Sequence, residues 1–165
     1  MKFSLLYKII TPLVLLSFML IGFNSTSNAT STYKCMIQMI NYTGEGAYIV
    51  ISLLDQQGNY EKTLYVQGDD EEWYHDIPEW WRFYGKHRPN IDAITGATIS
   101  GGKRAISVFE IENDKIDTGY KIRFETAVED QEYYKDDIEF ELTSETIKNK
   151  VEGKGFIRYV RLLPQ

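Results

Sequence analysis

The stretch Asp92-Ala-Ile-Thr-Gly-Ala-Thr-Ile-Ser100 sets three hydroxyls, Thr95, Thr98 and Ser100, around a Gly96-Ala97 pair, with a single acid, Asp92, in front. A glycine followed by a small residue lets a bulky donor approach the backbone. A hydroxyl beyond it becomes a nucleophile once a base takes its proton. Upstream the chain carries Trp73, Trp80, Trp81, Phe83 and Tyr84 and then Lys86, His87 and Arg88; downstream comes Gly101-Gly102-Lys103-Arg104. Flat rings, nearby cations and a glycine-containing loop suit a planar ligand that bears phosphate. The competing reading is that the tryptophans plug one end of the fold and the hydroxyls belong to a polar turn.

Other reactive sets are scarce. The two histidines, His75 and His87, have no second His or Cys at metal-binding spacing, and His75 beside Asp76 and Glu79 reads as a surface histidine next to acids. The acids from Asp69 to Glu72 and the pair Asp136-Asp137 lack the spacing of a calcium loop and read as solvated faces. No Gly-x-Ser-x-Gly or thiol-imidazole pattern occurs. The single cysteine, Cys35, cannot form an internal disulfide, and it alternates with Tyr33, Ile37 and Met39 on one strand face, as a buried inert thiol would.

The N-terminus has the layout of an export signal: Lys2 and Lys8, an apolar run from Ile9 to Phe23, and a polar stretch ending Ser27-Asn28-Ala29. Cleavage after Ala29 leaves residues 30–165 as one domain of ordinary size. If kept, the run would act as an anchor; with the signal removed, no integral membrane segment remains. The whole chain carries a formal net charge of −6, and losing two leader lysines deepens it. Such an acidic protein is a poor partner for nucleic acid or anionic lipid. The expected location is periplasmic or secreted.

The elements that must position the motif are mostly strands, because the chain after the leader alternates with a period of two and is rich in aromatic and β-branched residues. The predicted strands are Tyr33 to Ile40, Ala47 to Leu54, Glu61 to Val66, Ala105 to Ile111, Tyr120 to Val128, Ile138 to Leu142 and Phe156 to Leu163. In the fifth, Tyr120, Ile122, Phe124 and Val128 share a buried face while Lys121, Arg123 and Glu125 share a wet one. The pattern predicts an all-β antiparallel sandwich with a long aromatic-rich insertion. The insertion holds one short helix, capped by Asp76, with Pro78 in its first turn and an end before Gly85.

The order Trp80-Trp81-Arg82, Gly85, Asp92 to Gly102, and then Gly119-Tyr120-Lys-Ile-Arg-Phe-Glu125 resembles the predicted periplasmic family called domain of unknown function 2271. The resemblance implies an immunoglobulin-like sandwich and an extracytoplasmic setting beside flavin transferases and PepSY-type membrane redox proteins. The chain departs from many members after the motif, where Val108-Phe109-Glu110 replaces a Trp-Asp and a Gly-rich turn. Residues 92–100 are also similar to the site at which flavin transferase attaches FMN in membrane redox pumps. Asp92, Thr95, Gly96, Ala97 and Thr98 match that pattern, and Ser100 stands at the acceptor position, where those pumps usually carry threonine. What this implies is an exported electron-transfer protein with FMN held covalently on Ser100, stacked on Trp80 or Trp81, its phosphate offset by Lys103, Arg104 or Arg88. The alternative is a non-redox interaction module whose tryptophan-rich insertion docks a partner.

Overall fold

The computed structural model describes residues 29–165, so the expected leader, apart from Ala29, lies outside the described residues. Among the described residues nine strands are present: β1 (Thr30–Met39), β2 (Tyr48–Leu54), β3 (Tyr60–Gln67), β4 (Thr95–Gly96), β5 (Arg104–Glu112), β6 (Lys121–Ala127), β7 (Tyr133–Glu141), β8 (Lys150–Glu152) and β9 (Ile157–Pro164). They form two sheets, one in the order β5-β1-β9-β8 and the other β4-β3-β2-β6-β7. All pairings are antiparallel except the short β3–β4 contact. Among the described residues no helix is long and apolar enough to cross a membrane.

The alternation seen in the sequence explains the sandwich. Cys35, Ile37 and Met39 of β1 face Ile49, Ile51 and Leu53 of β2 and Ile122 and Phe124 of β6 across one apolar core. Burying these faces removes apolar area from water at about 25 cal/mol per Å², the main force holding the sheets together. Cys35 is fully buried, and burial pushes its thiol well above the ordinary range, so it is an inert core residue.

The insertion behaves differently from expectation. Its helix, α1 (Pro78–Tyr84), has Pro78 in its first turn and ends before Gly85 as predicted, but Ile77 rather than Asp76 occupies the cap position and supplies no side-chain bond. The tryptophans do not plug an end of the sandwich. Trp80 and the half-buried Trp81 lie over the outer face of the five-stranded sheet, where Tyr74, Ile77, Trp80, Tyr84 and Ile91 pack on Val50, Val66 and Ala127 in a second core, and Trp73 lines a cleft beside Asp76 and Glu129. A seven-residue helix is too short to persist alone, so this packing holds it.

The same layer overturns the wet face assigned to β6. Glu125 is 0 % exposed, and it accepts hydrogen bonds from the Tyr133 hydroxyl at 2.5 Å and from the Tyr60 hydroxyl. The Trp80 backbone N–H also meets this carboxylate, and the Glu79 N–H meets the Tyr133 hydroxyl. Burial raises the Glu125 carboxyl above its ordinary range, against the pull of the two tyrosines and of Arg123.

Asp137 also departs from the solvated reading. It is 1 % exposed and accepts from the Thr126 hydroxyl at 2.7 Å and from the backbone N–H groups of Lys154, Gly155 and Ile157 at 3.0, 2.7 and 2.9 Å. This carboxylate shapes the turn between β8 and β9. Its neighbour Asp136 stays exposed and pairs with Lys154 at 2.8 Å.

Candidate functional site: the Ser100 turn and its groove

The Asp92–Ser100 stretch is threaded along the edges of both sheets. Asp92–Ile94 makes one 3₁₀ turn, and Thr95–Gly96 then run parallel beside β3, opposite Val66 and Gln67. Ile99 exchanges two backbone hydrogen bonds with Ala47, at 2.9 and 3.1 Å. The Tyr42 hydroxyl clamps this crossing: it donates to the Ile99 carbonyl at 2.5 Å and accepts from the Ala47 N–H at 2.9 Å.

Ser100 then opens a four-residue turn closed by the Lys103 N–H on the Ser100 carbonyl at 3.1 Å. Gly102 sits at the third position with φ +72°, the conformation a type II turn requires there and a side chain resists. The Gly102 N–H donates to the Ile40 carbonyl at 2.7 Å, which ties the turn back to the end of β1. Ser100 is therefore held from both sides while its side chain is exposed, and its hydroxyl bonds to no partner among the described residues.

The other motif residues divide by role. The Thr95 hydroxyl donates to the Asp92 carbonyl at 3.2 Å and so supports the 3₁₀ turn. Thr98 is half-buried and Ala97 exposed. Asp92 is exposed, and its carboxylate meets the Asn90 amide at 3.4 Å rather than a hydroxyl of the loop.

Beside Ser100 runs a groove of about 420 Å³, within the size range of small-ligand sites. Gly96 and Ala97 form part of its wall, Tyr65 and Gln67 of β3 another part, and Lys103, Arg104 and Ile106 the rest. A Cβ on Gly96 would come within 2.8 Å of the Tyr65 hydroxyl oxygen and 3.4 Å of Gln67 Oε1, so the glycine keeps this wall open. Neither Lys103 nor Arg104 has a carboxylate partner among the described residues, and Arg104 bonds instead to the Gln38 amide oxygen at 3.1 Å.

The opposite flank of the loop carries the other sign of charge. A smaller cleft of about 150 Å³, also touching Thr98, is lined by Glu45, Asp76 and Glu129. A phosphate is repelled there and attracted at Lys103 and Arg104. An unpartnered hydroxyl, a wall that a Cβ would fill and two cations without a carboxylate partner among the described residues together fit a flavin phosphate ester at Ser100.

Trp80 does not join this site. It is 0 % exposed, stacks on Tyr84 at 4.7 Å and donates its indole N–H to the Thr63 hydroxyl at 2.8 Å, so no ring face remains for a ligand. Trp81 is half-buried, with the Arg88 guanidinium over its ring at 5.1 Å; that cation is therefore engaged away from Ser100. His75 contacts Asp76 at 3.3 Å, while Glu79 is taken by Arg82 and Lys135. No group of three or more metal-ligating side chains occurs among the described residues.

Tyr65 and Gln67 were missed because nothing local marks them. They reach the motif through the parallel β3–β4 pairing, a contact between segments about thirty residues apart. Ile106 lies inside the fourth predicted strand, Ala105 to Ile111, where it shares with Val108 the face opposite Phe109 and Ile111, and an apolar pair on that outward face was the one available signal.

Comparison with known families adds one match. The model of the family described as a predicted periplasmic protein, domain of unknown function 2271, covers residues 30–159. No curated protein and no solved structure matches the chain.

Proposed function

The chain belongs to this family of predicted periplasmic proteins, and from that premise we propose that it is an exported redox carrier with FMN joined to Ser100. The observation that carries the reading is the exposed, unpartnered Ser100 hydroxyl on a rigid turn at the head of a cation-lined groove. The export signal at residues 1–29 and the periplasmic setting of the family agree with a task outside the cytoplasm.

In the attachment step a flavin transferase presents FAD. A new bond forms from Ser100 Oγ to the phosphorus on the FMN side of the pyrophosphate. The bond from that phosphorus to the AMP oxygen breaks, AMP leaves with the electron pair, and the serine proton passes to a base of the transferase. Tyr42, Ala47 and Ile40 hold the turn still during this transfer, and Lys103 and Arg104 offset phosphate charge. The bound flavin supplies one- or two-electron chemistry between a membrane donor, such as a PepSY-type redox protein, and an external acceptor.

The test is the mass of protein co-produced with a flavin transferase: an FMN-sized increase in the wild type that Ser100→Ala abolishes. Unmodified wild-type protein refutes the reading. The second reading, a non-redox interaction module, is favoured by the apolar side chains of Val108 and Leu163, which stand exposed on either side of Lys34 on the outer face of the four-stranded sheet.

A further inference from the structure

We infer that the isoalloxazine ring carried on Ser100 lies in the groove between Tyr65 and Ile106, and not on the tryptophans; this rests on the reading that Ser100 bears FMN. The tryptophan wall is closed, because Trp80 has no exposed surface and Trp81 is covered by Arg88. The groove beside the Ser100 turn has what a flat tricyclic ring needs. Ile106 is 61 % exposed, the most exposed large apolar side chain among the described residues, and it stands on the groove wall with nothing over it. Tyr65 presents a half-buried phenol on the other side, held by its hydroxyl at 3.4 Å from the Thr95 carbonyl.

The reach also fits. Lys103 closes the turn that begins at Ser100, where the phosphate would be, and Arg104 follows it directly. Ile106 lies two residues further along β5, about 7 Å at the rise of an extended strand. An extended ribityl chain spans distances of that order. The order of groups along the groove, hydroxyl, cations, then apolar and aromatic walls, is the order of groups in a phosphate-linked flavin.

Gln67 supplies polar recognition. Its amide donates to the buried Ser107 hydroxyl at 2.8 Å, and this fixes the side chain so that Oε1 is left beside Gly96 on the groove wall. An oxygen acceptor there matches the one N–H that the oxidised isoalloxazine edge offers. Gly96 is needed for the same reason, since any side chain would cover both Gln67 Oε1 and the Tyr65 hydroxyl.

The experiment begins with flavinylated protein whose mass establishes the modification. Iodide quenching of flavin fluorescence, at constant ionic strength, then reads how exposed the ring is. In the wild type the quenching constant is expected at least fivefold below that of free FMN. Ile106→Asp and Tyr65→Leu are each expected to raise it twofold or more, whereas Val108→Asp, further along the same strand, leaves it unchanged. Added mass with quenching equal to free FMN, or with no response to Ile106→Asp, overturns the seat and leaves the attachment standing. Absence of added mass refutes the attachment and takes the seat with it.

Discussion

Truncating Trp80 separates a structural layer from a ligand wall. The side chain is fully buried, stacks on Tyr84 at 4.7 Å, meets Tyr74 edge-on at 5.1 Å and donates to Thr63. Deleting a buried indole costs about 3–5 kcal/mol through lost transfer free energy and the cavity left behind. For a domain of this size each kcal/mol shifts Tm by about 3–5 °C, so Trp80→Ala is expected to lower Tm by about 9–25 °C. Trp73→Ala, at a half-buried position beside the acidic cleft, is expected to cost about 1 kcal/mol or less. The assay is thermal unfolding by circular dichroism, with flavin content of the folded protein measured alongside. Ser100 is held by Tyr42, Ala47 and Ile40, so flavin content at a temperature where the variant is folded should match the wild type. A Trp80→Ala protein as stable as Trp73→Ala, or one that folds normally and loses its flavin environment, would refute the reasoning.

Two further outcomes follow from the buried carboxylates. Because the Glu125 carboxyl is raised by burial, its contribution to stability is present at low pH and is lost as pH rises through the raised folded value. Glu125→Gln mimics the neutral form, so its cost in denaturant unfolding should be largest at low pH and shrink as pH rises above the ordinary carboxylate range; a cost that grows with pH would sink this assignment. Asp136 and Glu139 are lowered and act in the opposite sense, which is why the difference from the wild type, and not the raw stability, is the quantity to follow. Asp137→Ala strands three backbone donors at the β8–β9 turn and is expected to cost about 3 kcal/mol or more, while Asp136→Ala stays within about 0.5 kcal/mol; equal effects in urea melts would contradict the burial.

Most of the longer strands were legible from a period of two, as in β1, where Cys35, Ile37 and Met39 point inward, whereas β2 read as a strand from a continuous apolar run buried on both faces. β8 spans three residues and β4 two, too few for any period to register. β7 starts at Tyr133, five residues before its predicted start, because its first half buries Asp137 and bonds Tyr133 to Glu125, and acidic and phenolic residues do not read as a strand interior. The failure at Glu125 has one cause with the failure at Trp80. Periodicity reports which side of a strand is apolar, and it does not report that a later insertion will fold back over the polar side.

The candidate site shows the same division. The motif itself, its acceptor and the following Lys103-Arg104 were readable as spacing in one segment. The wall opposite them comes from β3, and only the tertiary pairing of Gly96 with Gln67 brings it there. Trp80 and Trp81 were drawn to the site by their chemistry in sequence; their packing in the second core assigns them to the fold.

The most direct measurement is fragmentation mass spectrometry of the tryptic peptide His87–Lys103, which holds all three motif hydroxyls, from protein made with a flavin transferase. The account predicts an FMN-sized addition on Ser100 and none on Thr95 or Thr98. An unmodified peptide, or an addition on either threonine, would contradict it.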